Sequence, residues 1–315
     1  MKLVTYSVNT AFGPVDRLGA LVDGEVKDLN AACQAKLEAE GEPDPASLAA
    51  VLVPASMLGL LRREERGMEA AREALQFAQE HGTLRFPLGE VRLRAPLPRP
   101  NSVRDFMVVE EHVKGSFKDR EIPKEWYEIP VYYKGNPDTV FGPDDDILWP
   151  DYTEKLDYEL ELCAVIGKRG RKVGEEDAHA YIAGYTIFND WSARDIQFRE
   201  MKVGLGPGLG KDFATSIGPY LVTPDQIDIY AAPMQARVNG EVWSSGTQGS
   251  MRFDFSQIIA HLSKEQTLMP GDVLGSGTVG RGCGLELDRW IRPGDVVELE
   301  VEGIGVLRNR VVRSQ

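Results

Sequence analysis

Leu156-Asp157-Tyr158-Glu159-Leu160-Glu161-Leu162 alternates apolar and acidic residues. Side chains two apart on an extended strand share a face. Glu159 and Glu161 therefore stand side by side, while Leu160 and Leu162 turn the other way into a core. Two neighbouring carboxylates repel each other. Either their face is solvated, or the pair holds a hard cation, which prefers oxygen ligands. The apolar pattern runs on, so Leu160 to Ile166 reads as one strand.

Two more carboxylates favour the cation. Ile182 to Phe188 reads as a second strand that ends at Asn189-Asp190, and a strand end aims a ligand well into a pocket. Ser192 to Lys202 reads as a helix, with Ser192 as N-cap and Asp195 as its capping-box partner. On that helix Arg194 and Gln197 are three apart and share a face. Asp105 lies in the apolar-flanked Val103-Arg-Asp-Phe-Met-Val-Val109. The chain has 4 His without paired spacing and 3 Cys (Cys33, Cys163, Cys283) without a CxxC pair. Zinc is disfavoured. Mg²⁺ is the first expectation, then Mn²⁺ or Ca²⁺.

Further out, residues 1–95 read as a small α+β unit. Short strands at Leu3–Tyr6, Leu18–Val22 and Glu25–Leu29 are followed by an Ala-, Leu-, Glu- and Arg-rich stretch, with an amphipathic helix over Glu64 to Glu80. Ala95-Pro-Leu-Pro-Arg-Pro100 cannot continue a helix or a central strand, and the boundary is placed there. Residues 96–315 read as mainly β, with short helices at Glu175 to Tyr181 and Ser256 to Ser263 and closing strands at Val296 to Val301 and Gly305 to Val312. The fold class is α+β, mainly β.

The 315 residues carry 49 acidic and 36 basic side chains, a formal charge of −13. That disfavours nucleic acid and anionic membrane surfaces as partners. No apolar run approaches the ~20 residues of a membrane span. The N-terminus lacks a secretory pattern, and three scattered Cys suit a reducing compartment, so a cytoplasmic protein is expected. Gly275-Ser-Gly-Thr-Val-Gly280 fits G-x-G-x-x-G but precedes no helical pattern. It reads as a loop at a pocket mouth, not a dinucleotide site. Trp191 and Trp290 read as core residues.

Taken together, Glu159-Leu-Glu161, Asn189-Asp-Trp-Ser-Ala-Arg-Asp-Ile-Gln197, Leu205-Gly-Pro-Gly-Leu-Gly-Lys211, Pro270-Gly-Asp-Val-Leu-Gly-Ser-Gly-Thr278 and Leu285-Glu-Leu287 resemble the fumarylacetoacetate hydrolase family. The resemblance is strong over about residues 95–315. It implies a mixed β-sandwich or β-roll catalytic domain, a homodimer, and Glu159, Glu161 and Asp190 as metal ligands, with Asp105 as a fourth. It also implies His112 as general base, Glu286 as its orienting carboxylate, and Arg194, Gln197 and Lys211 around a developing oxyanion. Tyr133, Thr278 and the Met107 position match substrate contacts.

The implied activity is hydrolytic C–C cleavage of a small 2,4-dioxo acid. The alternative at the same site is decarboxylation, tautomerisation or dehydration of a 2-oxo acid. A non-catalytic metal-binding protein is the alternative of another class. Met107 replaces a substrate-binding Tyr of fumarylacetoacetase, and the slot of its substrate-clamping Arg falls near Glu121, with Lys118 and Arg120 close by. The segment 115–130 is therefore read as a specificity-setting lid or loop.

Overall fold

Leu156, Tyr158, Leu160, Leu162, Ala164 and Ile166 all enter one buried apolar core, whereas Cys163 and Val165 enter another. The alternation seen in the sequence thus separates two cores on either side of a sheet. This architecture comes from a computed structural model, which describes residues 1–82, 84–117 and 121–313. Strand outweighs helix, 34% against 29%, as the α+β, mainly β reading expects.

The central sheet has 12 strands. From one side to the other it runs through Gly13–Val22, Lys2–Thr10, Thr215–Val222, Ile182–Asn189, Glu161–Ile166, Asp272–Gly275, Ser102–Phe106 and Tyr132–Gly135. Most neighbours are antiparallel, but Asp272–Gly275 runs parallel to Ser102–Phe106 and pairs Gly275 with Asp105. β-branched and aromatic residues fill the buried strands, which suits a surface packed on both faces. A second sheet of 5 strands carries the closing strands Val296–Val301 and Gly305–Arg313. It packs against the even-numbered side of residues 156–166.

The helices Leu29–Ala39, Met57–Leu61 and Glu64–His81 cover the opposite face, together with Cys163, Val165, Phe188 and Ile217. Glu64–His81 buries Ala71, Ala74, Leu75 and Ala78, the 3–4–7 spacing of one helical stripe. It ends at Gly82, whose φ of 65° suits a left-handed cap. The sheet runs unbroken across the proline segment 95–100, since Lys2 and Leu3 pair with Val222 and Leu221.

Three local expectations need correction. The Glu175 to Tyr181 helix is a single 3-10 turn, Ala178–Tyr181. The helix expected from Ser192 starts two residues later, as Arg194–Met201, without a side-chain cap. Ser192 and Ala193 pair instead with Asp157 and Leu156 as a short antiparallel ladder, and Asp195 caps the Thr153–Glu154 loop. Gly275–Gly280 is not an exposed mouth loop. It is buried up to Val279 and forms the floor described below. Among the described residues no helix is long and apolar enough to cross a membrane.

Candidate metal and acid–base site

Carboxylate oxygens of Asp105, Glu159, Glu161 and Asp190 lie within 4.8 Å of one another, and all four residues are buried. They come from three strands of the central sheet, two of them neighbours and the third one strand further on beyond Asp272–Gly275, and from the segments that flank them. Asp105 is on Ser102–Phe106, Glu161 opens Glu161–Ile166, and Asp190 follows Ile182–Asn189. Glu159 sits in an isolated bridge to Cys283 just before its strand. The solvated-face reading of Glu159 and Glu161 therefore falls.

Three of the four carboxylates are held by donors. Lys211 Nζ donates to Glu159 Oε2 at 2.6 Å and also to Asp190. Tyr133 donates its hydroxyl to Asp190 Oδ1 at 2.5 Å. Thr278 Oγ1 and the Gly277 N–H donate to the two oxygens of Glu161 at 3.0 and 3.1 Å. Gly277 has φ 77°, and a Cβ there would strike the carbonyl of Phe106. A Cβ on Gly275 would strike Asp105. Two glycines thus let the floor approach the acid cluster closely.

The charge does not balance. At 4.8 Å two carboxylates repel by about 3 kcal/mol at an effective dielectric near 20. Lys211 and Arg194 supply two positive charges against these four negative ones. Burial, followed by repulsion from Asp190, pushes the Asp105 carboxyl well above its usual range. Burial and repulsion from Asp105 do the same to Glu161. Burial raises Asp190 to about 6 in spite of Lys211. For Glu159 burial is outweighed by Arg194 and Lys211, which hold it low. Asp105 Oδ1 is buried without a hydrogen-bond partner. A surplus of negative charge, an all-oxygen donor set and an orphaned acceptor fit a hard divalent cation.

Beside the cluster stands an imidazole. His112 lies on Glu110–Phe117, and its Nδ1 is 2.9 Å from Glu286 Oε2. Its Nε2 is 3.9 Å from Glu159 Oε1 and 3.4 Å from Ser116 Oγ. Glu286 sits on the short helix Gly284–Leu287 and is fixed by the Arg281 N–H and the Cys283 thiol. His112 opens into a cavity of about 960 Å³ that also reaches Met107, Tyr133, Gln197 and Thr278. Among the predicted site residues, Glu286 and Asp190 lie behind the cavity wall, Glu286 holding His112 and Asp190 bound to Lys211 and Tyr133.

Arg194 Nε donates to Asp157 Oδ2 and Nη2 to Glu159 Oε1, both at 2.8 Å, while Nη1 meets Gln197 Oε1 at 3.2 Å. The shared helix face of Arg194 and Gln197 is thus realised. Sequence reasoning passed over Asp157, although it extends the Asp-x-Glu-x-Glu alternation by one step. It also passed over Asn189, whose Oδ1 accepts from the Glu159 N–H at 3.0 Å. Cys283 was read only as one of three scattered cysteines that form no zinc pair, although it stands three residues before Glu286 and donates to it. Trp290 is half-buried and lines the cavity rather than the core. Glu121 is exposed. Lys118 and Arg120 lie outside the described residues.

The sequence profile of the fumarylacetoacetate (FAA) hydrolase C-terminal region matches residues 102–312. The oxaloacetate tautomerase YisK of Bacillus subtilis (strain 168) is 32% identical over 304 residues, covering 93% of this chain and 95% of that one. The mitochondrial oxaloacetate tautomerase FAHD2A of Homo sapiens is 36% identical over 265 residues, covering 82% and 81%. Among solved structures, a fumarylacetoacetate hydrolase from Exiguobacterium antarcticum is 28% identical with a TM-score of 0.75, each chain covered fully. A 5-carboxymethyl-2-hydroxymuconate delta-isomerase from Mycobacterium smegmatis is 26% identical with a TM-score of 0.68, again over both whole chains.

Proposed function

The chain belongs to the fumarylacetoacetate hydrolase family, and from that premise we propose that it is a divalent-cation-dependent enzyme that interconverts the keto and enol forms of a small 2-oxo acid such as oxaloacetate. One observation carries the reading. His112 is oriented by Glu286 through Nδ1 and presents Nε2 3.9 Å from the carboxylate cluster. A non-catalytic metal-binding protein has no use for that pair.

Glu159, Glu161, Asp190 and Asp105 would hold the cation. Bound there, it would supply Lewis acidity toward the oxygens of the 2-oxo acid. The rest falls to side chains. An imidazole whose Nδ1 hydrogen is donated to a carboxylate keeps its lone pair on Nε2. His112 Nε2 takes a proton from C3 of the keto acid and returns it to the oxygen on C2. The proton balance is then zero over a turnover. Lys211 and Arg194, both buried and held cationic by Asp190, Glu159 and Asp157, offset the charge of the enolate. Tyr133 and Thr278 hold the acid cluster in place.

This reading reverses the order drawn from sequence. Hydrolytic C–C cleavage would set the same His112 on a water molecule. Tautomerisation is favoured because relatives at 32% and 36% identity bear that name, whereas the hydrolase structure is 28% identical. Pairing of two copies belongs to the reading as well. Val203, Leu205 and Leu209 leave an apolar run exposed beside the cavity mouth.

The test follows the ultraviolet enol signal of freshly dissolved oxaloacetate with Mg²⁺ or Mn²⁺, against the same metal without protein. An acylpyruvate panel run in parallel reads C–C cleavage. Catalysed decay of the enol signal is expected. Decay at the protein-free rate, alongside turnover of acylpyruvates, returns the hydrolase to first place.

A further inference from the structure

Lys155, Asp157, Glu159 and Glu161 continue one alternation, opposite the core-facing Leu156, Tyr158, Leu160 and Leu162. Lys155 lines the same cavity as Glu159 and Glu161. Its backbone is pinned at both polar groups. The carbonyl accepts from the Arg194 N–H at 2.9 Å, and the N–H donates to Thr153 Oγ1 at 3.2 Å. Its ammonium lies 5.0 Å from the ring centre of Trp290, a cation–π contact that holds a cation in place without neutralising it.

The other cations of the cavity differ. Arg194 and Lys211 are committed to Asp157, Glu159 and Asp190. Lys202 extends from the exposed stretch after the Arg194–Met201 helix. Among the described residues no carboxylate pairs with Lys155. It stands four positions before Glu159, a span of about 13 Å between Cα atoms in extended chain. Side chains that enter one cavity from the two ends of that span are bridged by a molecule of three or four carbons. A two-carbon acid is too short.

We propose that Lys155, shelved on Trp290, is the subsite for the far carboxylate of a dicarboxylic 2-oxo acid, and so selects four-carbon diacids over monoacids at this site. The inference rests on the 2-oxo acid reading above.

The experiment uses Mn²⁺-loaded full-length protein and two probes, malate and lactate, which differ only in the carboxylate that malate carries on C3. Calorimetric affinities are measured for wild type, Lys155→Met, Lys155→Arg, Trp290→Leu and Lys202→Met. Wild type is expected to bind malate more tightly. Lys155→Met loses roughly ten-fold or more in malate affinity, the order of a charge-assisted hydrogen bond, and leaves lactate unchanged. Lys155→Arg recovers most of the loss, Trp290→Leu loses part of it, and Lys202→Met loses little. Equal loss for both probes, no loss in Lys155→Met, or no malate binding by wild type overturns the proposal. So does a loss confined to Lys202→Met. Tautomerase turnover is scored separately. Wild type that binds malate through Lys155 but leaves the oxaloacetate enol at its background rate counts against the tautomerase alone.

Discussion

Arg194 and Asp157 form an ion pair behind the acid cluster, Nε to Oδ2 at 2.8 Å, with both side chains buried. The other contacts of Asp157 reach the opposite wall. It accepts from the N–H groups of Gly284 and Leu285 at 2.7 and 3.0 Å, the start of the turn that carries Glu286. One carboxylate therefore joins the helix that carries Arg194 to the turn that carries Glu286. Replacing Asp157 by Ala leaves a buried guanidinium half-paired and three N–H groups, those of Tyr158, Gly284 and Leu285, without this acceptor. Such losses cost about 3 kcal/mol or more. A denaturant midpoint should fall accordingly with an unchanged slope. A shift worth under about 0.5 kcal/mol, the scale of an ordinary surface substitution, would show that the pair is dispensable.

Removing the base separates chemistry from metal binding. His112→Ala should lower enol–keto turnover by about 10²- to 10⁴-fold, the usual weight of a positioned acid–base group. Glu286→Gln should cost less, because the imidazole stays in place with its tautomer less firmly held. Mn²⁺ affinity, read by calorimetry, should hardly move in either variant. Unchanged turnover in His112→Ala refutes the assignment.

A divalent cation should stabilise the fold. At a hundred times its dissociation constant a cation adds about 2.7 kcal/mol, so Mg²⁺ or Mn²⁺ should raise the melting temperature and a chelator should reverse the rise. Asp105→Asn removes one charge from a cluster that repels itself. The metal-free variant should melt no lower than wild type, while its gain on adding Mn²⁺ shrinks. A variant that keeps the full gain rules out Asp105 as a ligand.

Acidity acts on the same cluster with a definite sign. Burial raises Asp190 to about 6, and burial with repulsion from neighbouring carboxylates holds Asp105 and Glu161 well above the usual carboxylate value. Between pH ~4, where unfolded carboxyls ionise, and the raised native values, the folded state binds more protons than the unfolded one. Stability contributed by these groups is present at low pH and lost as pH rises through the native values. Glu159, held low, acts oppositely and matters only below the ordinary carboxylate range. The metal-free protein should therefore lose stability from pH 5 to 7, and the stabilisation by Mn²⁺ should grow over the same window. Melting curves with chelator and with Mn²⁺ across that range read both trends. A gap independent of pH contradicts the shared-proton account.

Much of this protein is written in short-range pattern. Alternation over 156–162 separates acid from core without knowledge of any neighbour, because a strand has period two. The 71–74–75–78 stripe of the Glu64–His81 helix is legible for the same kind of reason. Family motifs point to the four carboxylates and to the His112–Glu286 pair, and the tertiary structure brings those distant stretches together.

What sequence could not supply depends on contacts between remote segments. Asp157 looks like one more polar residue until Arg194, Gly284 and Leu285 converge on it. Cys283 gains its partner only when the Gly284–Leu287 turn folds beneath His112. Trp290 reads as core material because its apolar bulk is local, while its place beside Lys155 is not. Ser192 follows helix-cap rules in isolation, yet pairing with Asp157 draws it into a ladder. Local periodicity is set by backbone geometry within a few residues, and so it survives in the linear chain. The balance of buried charge arises only when side chains as far apart in sequence as His112 and Glu286, 174 residues, are forced to share one dry space.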